Sequence, residues 1–141
     1  APMSVLHLKQ NVIVKVIVTE RFKNEFKDDI SRQINDAESK ARDLKASLGR
    51  LVIESAGIQN PTYVESLKAR IEEERMIQEA LAAQLKEKLK EVENLPIDSV
   101  YPYMVVEGQA DVNVGDNLLN KISATEVTIK DGIVVEIKEG A

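Results

Sequence analysis

No cysteine occurs in the 141 residues, so disulfides, thiolate nucleophiles and sulfur-ligated metal sites are excluded. Tryptophan is also absent, and aromatic residues make up only 4% of the chain, too few for a large compact core. A coiled-coil contribution to stability is the natural substitute. There is one histidine, His7, near the start; its plain reading is a surface residue, not a ligand or a catalytic base. Six glycines are scattered, and none forms a phosphate-binding or dinucleotide fingerprint. The longest apolar run, "VIVKVIV", is interrupted by Lys15 and is too short to span a bilayer, so no membrane association is expected. No apolar stretch of the right length opens the chain as a signal peptide, and the expected location is cytoplasmic.

What is present is charge. Acidic and basic residues together account for 30% of the chain, and the net charge is −5. The imbalance sits at the C-terminal end, where residues 96–141 hold three basic against eight acidic side chains. No basic patch exists to neutralise phosphates, which disfavours RNA or ribosome binding.

From Thr19, a candidate helix N-cap, the pattern becomes helical. Ile34, Ala37, Ala41, Leu44, Leu48, Leu51 and Ser55 recur at alternating spacings of three and four, with Phe22, Phe26 and Ile30 continuing the seam upstream. Asp28–Arg32, Asp36–Lys40 and Glu38–Arg42 stand four apart with the acid first, which suits an exposed helix face. The stretch "GIQNP" then stops one helix and starts another. Gly57 suits a left-handed C′ position, Ile58 packs back, Asn60 caps, and Pro61 opens the next helix.

The second helix runs to about Leu95, with Val64, Leu67, Ile71, Ile77, Leu81, Leu85, Leu89 and Val92 as its apolar set. The two helices match in length, which predicts an antiparallel hairpin roughly 50–55 Å long. The expected facing pairs are Leu51–Leu67, Ala41–Ile77, Ala37–Leu81 and Phe26–Val92. Glu74 and Gln78 fall at seam positions and weaken the register there, and Gly49 inside the first helix costs about 1 kcal/mol relative to Ala.

The flanks read as strands: "NVIVKVIV" before the hairpin, then "YMVVE", "ADVNV" and "EVTIKDGIVVEIK" after it, the last folded at Asp131-Gly132. The expectation is an α+β fold. A helical hairpin, residues 19–96 with its turn at 57–61, is inserted between the first and second strands of a small five-stranded β-sheet or barrel. That β domain is discontinuous, residues 4–18 and 97–139.

The stretches "VNVGDNL" and "EVTIKDGIVVEI", following a charged coiled-coil segment and an N-terminal strand, make the chain resemble the YlqD-type family of bacterial and cyanobacterial proteins. The resemblance implies a small protein with no known catalytic residues. The resemblance also implies, for some relatives, a gene near ribosome-maturation genes, and by that association a ribosome- or RNA-associated accessory factor is the alternative expectation.

Catalytic and cofactor signals are absent from the residues themselves. Asp111, Asp116 and Asp131 lack calcium-loop spacing, and the latter two are explained by turn chemistry. Glu72, Glu73 and Glu74 form a solvated helix face, and Tyr101 and Tyr103 read as packing residues where the arm meets the strands. The functional expectation is a non-enzymatic structural or interaction protein without cofactor or metal. It forms a homo-oligomer and meets an unknown protein partner through its coiled-coil arm. Val52, Ile53, Ile58, Tyr63 and Met76 are the candidate surface, since a two-helix seam cannot bury them all.

Overall fold

A computed structural model describes residues 4–57 and 61–140. Their order is strand β1 (Val5–Ile17), helix α1 (Glu20–Glu54), helix α2 (Pro61–Glu93), strand β2 (Val100–Asn113), short helix α3 (Leu118–Ile122), strand β3 (Thr125–Lys130) and strand β4 (Ile133–Lys138). The chain divides into two compact units, Ala1–Lys23 with Leu95–Ala141, and Asn24–Asn94.

In the first unit the sheet order is β2-β1-β3-β4. β1 pairs antiparallel with β2 and parallel with β3, and β4 returns antiparallel along β3. The ladder continues past β1, where the Val18 N–H donates to the Ser99 carbonyl at 2.8 Å and the Asp98 N–H donates to Val18 at 2.8 Å. The chain on either side of the helices therefore joins one sheet.

The sheet has four strands, not five, and it does not close into a barrel. "YMVVE" and "ADVNV" are one strand, because Gly108 does not interrupt it. Gly108 stands opposite Gln10, and a Cβ there would lie 3.0 Å from Val12 Cγ2. Glycine thus serves close approach to a neighbouring strand rather than a break. β2 and β4 remain as edges, so closure fails for want of a pairing between them. β2 carries Pro102, which an edge strand tolerates, and the register slips there, leaving Tyr103 as an extra residue between Pro102 and Met104.

Register separates the two faces. Val12 stands beside Val106, Val14 beside Met104 and Val127, Val16 beside Ile129, and Val127 beside Ile137. This face is apolar. The other carries Lys9, Lys15, Glu107, Asp111, Glu126, Glu136 and Lys138, and there Lys15 pairs with Glu126 at 2.9 Å. Only Gln10, Val16, Val18 and Ala110 are buried within this unit's described residues.

α1 begins as its sequence requires. Thr19 Oγ1 accepts the Phe22 N–H at 3.0 Å, and its hydroxyl donates to Asp131 Oδ1 at 2.7 Å. The helix start is therefore fastened to the β3–β4 turn. Phe22 receives Tyr103 edge-on, with ring centroids 5.6 Å apart, and Tyr101 at 6.4 Å. The two tyrosines are packing residues for this aromatic cluster.

In the second unit α1 and α2 form a helical hairpin of 35 and 33 residues. Gly57 has φ of +87°, the left-handed conformation expected after a helix end. The stapling role expected of Ile58 and the capping role expected of Asn60 lie outside the described residues.

Candidate interaction surfaces

The helical seam determines what is left over for contact. On α1 the expected stripe is real: Phe26, Ile30, Ile34, Ala37 and Ala41 are buried, and Leu44, Leu48, Leu51 and Ser55 are half-buried toward the distal end. On α2 the inward stripe is Val64, Ile71, Arg75, Gln78, Ala82, Leu85, Leu89 and Val92.

That stripe corrects two expected pairs. Ile77 does not face Ala41, and Leu81 does not face Ala37; they are 51% and 41% exposed. Ala82 is buried instead, and it lines one groove with Ala41, Glu38 and Lys86. The reason is rotation. Residues 77, 81, 85 and 89 are spaced by four, and each such step advances about 40° around a helix of 3.6 residues per turn. They cannot all face one partner. Leu85 and Leu89 stay inward, while Ile77 and Leu81 turn away.

Two polar residues occupy the vacated seam. Arg75 is kept there by flanking acids: its guanidinium is hydrogen-bonded to Glu72 and lies 2.7 Å from Glu79 Oε1. The hydrogen bond from Arg75 holds the Glu72 carboxyl below its usual range. The Arg75 side chain is 23% exposed, and its charge is met by Glu72 and Glu79 on its own helix. Gln78 is half-buried and lines a second groove between the helices with Leu44, Asp43, Ser47 and Glu74.

The consequence is a second apolar stripe on α2. Ala69, Met76, Ile77 and Ala80 line a shallow open groove edged by Glu72 and Glu73. Met76 is 60% exposed. Nearer the turn, Val52, Ile53 and Tyr63 are exposed as expected, Ile53 most strongly at 77%. The structure therefore leaves Val52, Ile53, Tyr63 and Met76 open on the helical unit. Ile58 lies outside the described residues. Ile77 and Leu81 were missed because their hydrophobicity assigned them to the seam; the seam's three-four spacing, counted back from Val92, passes through Ala82, Gln78 and Arg75 instead.

The sheet unit holds a different surface that the sequence reading did not single out. Met104, Val106, Val134 and Ile137 lie on its apolar face and are 42–67% exposed. Residue parity within each strand carried the signal, but its outcome depended on whether a second layer covers that face.

Elsewhere the polar residues have structural partners. His7 Nδ1 is 2.6 Å from Asp111 Oδ1 on the exposed polar face. Asp116 accepts the Asn113 N–H at 2.8 Å, as a turn residue does. Among the described residues no cluster of three or more His, Asp or Glu side chains is arranged to hold a metal ion. No helix among them is long and apolar enough to cross a membrane.

Comparison with known proteins returns likeness without an activity. No curated protein matches the chain. A crystal structure of a protein of unknown function from Synechococcus sp. WH 8102 is similar, with a TM-score of 0.81 and 25% sequence identity, over 99% of this chain and 100% of that one. The YlqD protein family matches residues 6–138, nearly the whole sequence, including the strand and turn residues quoted above. The chain belongs to the YlqD family.

Proposed function

We propose that the protein is a non-enzymatic structural and interaction protein that self-associates and contacts partners through its coiled-coil arm. The observation that carries this reading is the outward stripe on α2. Met76 and Ile77 are more than half exposed, next to Ala69 and Ala80, on a helix whose inward face is already used. A stable helix has no need of a second apolar stripe facing water, and burying each such aliphatic contributes about 1.5–3 kcal/mol. Small residues beside large ones suit the close approach of another helix. The glutamates at the groove's edge give the site a polar rim and favour a partner with basic residues there.

Sedimentation velocity at micromolar concentration tests the reading. The parent chain should run as a dimer or larger, and Met76→Ser with Ile77→Ser should weaken assembly without lowering the melting temperature. A parent that sediments as a 15.7 kDa monomer would defeat the self-association.

A further inference from the structure

We infer that the outer edge of β4 pairs antiparallel with the same edge of a second copy of this chain, joining the four strands of each copy into one sheet. This rests on the self-association proposed above and gives it a second contact, made through the backbone and distinct from the arm.

β4 is the last strand in the order β2-β1-β3-β4, and every residue of it is exposed. Among the described residues no strand lies beyond it, so the peptide groups that point away from β3 form an open row. An extended segment is what meets such a row with hydrogen bonds at ladder spacing. Val135, the extra residue of the β3–β4 register, lies before Glu136. Glu136, Ile137 and Lys138 keep unbroken pairing with Thr128, Val127 and Glu126, and they present a regular edge.

Charge selects a second copy as the occupant. Glu136 and Lys138 stand two residues apart on one face of the sheet, both exposed, and among the described residues neither has an ion-pair partner. Glu126, the register neighbour of Lys138, is engaged by Lys15 at 2.9 Å. Antiparallel pairing about a two-fold axis normal to the sheet opposes residues of the same face. A ladder centred on Glu136 or on Lys138 would set a charge against its own like. Centred on Ile137, it sets Glu136 against Lys138 of the second copy, and Lys138 against its Glu136. Both unpaired charges then gain an opposite neighbour across the strands. The same axis keeps the two apolar faces on one side of the joined sheet.

The other edge is unsuited to this. β2 carries only acidic charges, Glu107 and Asp111, so no symmetric register along it opposes unlike charges. It also carries Pro102 and the extra residue Tyr103, both devices that blunt an edge.

The test uses the full-length chain, which has no cysteine of its own. Ile137→Cys places a thiol on the two-fold axis, where opposed Cα atoms lie about 4.5–5.5 Å apart, within the span of a disulfide. Val105→Cys is the control on the β2 edge, since Ile137 and Val105 are 67% and 63% exposed. Under mild oxidation the first should give a covalent dimer at least about tenfold faster than the second, because pairing holds the thiols together. Adding Glu136→Lys to Ile137→Cys opposes like charges and should slow the dimer about threefold or more. Adding Lys138→Glu as well should restore the rate, which a general effect of charge on oxidation would not do. Equal rates for Ile137→Cys and Val105→Cys, as a foreign peptide on this edge would also give, overturn the inference; so does a charge swap without rescue. Sedimentation of the Met76→Ser and Ile77→Ser chain reports on the arm separately. If that variant dissociates while Ile137→Cys cross-links no faster than the control, the edge pairing is wrong and the arm contact stands. If Ile137→Cys cross-links and the arm variant sediments as the parent does, the edge pairing stands and the arm loses its role in self-association.

Discussion

The side-chain nitrogen of Gln10 lies 2.8 Å from the carbonyl oxygen of Ser123, 113 residues further along the chain. The same nitrogen donates to the Lys121 carbonyl at 2.9 Å, and the amide oxygen accepts the Thr125 hydroxyl at 3.0 Å. One buried carboxamide thus fastens the end of α3 and the start of β3 to the apolar face of β1. Gln10→Leu keeps the bulk but leaves these partners without it, and an unsatisfied buried polar group costs about 1–3 kcal/mol. Chemical denaturation should show a loss of that size. Amide exchange should accelerate at residues 118–125 and not along α1.

Gly49 lies inside α1, exposed, with nothing within 4 Å of where a Cβ would be. Gly49→Ala therefore meets no steric obstacle and gains helix propensity. It should stabilise the protein by about 0.5–1 kcal/mol, read as a raised denaturation midpoint at constant slope.

Leu44 and Ile77 separate the seam from the outer stripe. Leu44 is half-buried against Gln78 and Glu74 across the hairpin, while Ile77 is turned outward. Leu44→Asp places an unpaired charge in the seam and should cost about 3 kcal/mol. In dilute protein, Ile77→Asp should cost less than about 0.5 kcal/mol. Equal melting losses for the two would show that Ile77 shares the interior.

The β3–β4 turn has Asp131 at φ +48° and Gly132 at φ +83°, two consecutive left-handed residues as a tight hairpin demands. Gly132→Ala should cost about 1–2 kcal/mol, because a Cβ is disfavoured there. Asp131 also accepts the Thr19 hydroxyl, so loss of protection should extend to the first turn of α1 in hydrogen exchange.

Much of this architecture was legible in local sequence. The capping by Thr19, the stop at Gly57, the Asp131-Gly132 hairpin and the α1 seam each depend on residues within a turn or two of one another, and local chemistry sufficed. The α2 seam was misread in its middle because hydrophobicity and spacing disagreed there. Ile77 and Leu81 are the stronger hydrophobes, but the geometry of two rods in contact favours Ala82 and Gln78. Gln10 gave no signal: a glutamine in a strand looks like a surface residue until an element more than a hundred residues away comes to rest over it.

The sequence by itself determined that two long helices reverse on one another, that strands on either side must meet, and that no thiol or nucleotide-loop chemistry is available. Those follow from periodicity, turn residues and composition, which act locally. Tertiary structure alone decided the number of strands, the parallel β1–β3 pairing, and which apolar residues remain in water. Strand count turned on Gly108 approaching Val12 rather than breaking the chain. Exposure of Met76 and Ile77 on the arm, and of Met104 and Ile137 on the sheet, is a property of what does or does not pack above them. A side chain's hydrophobicity states how much its burial would contribute; only the arrangement of distant segments states whether that burial occurs within one chain.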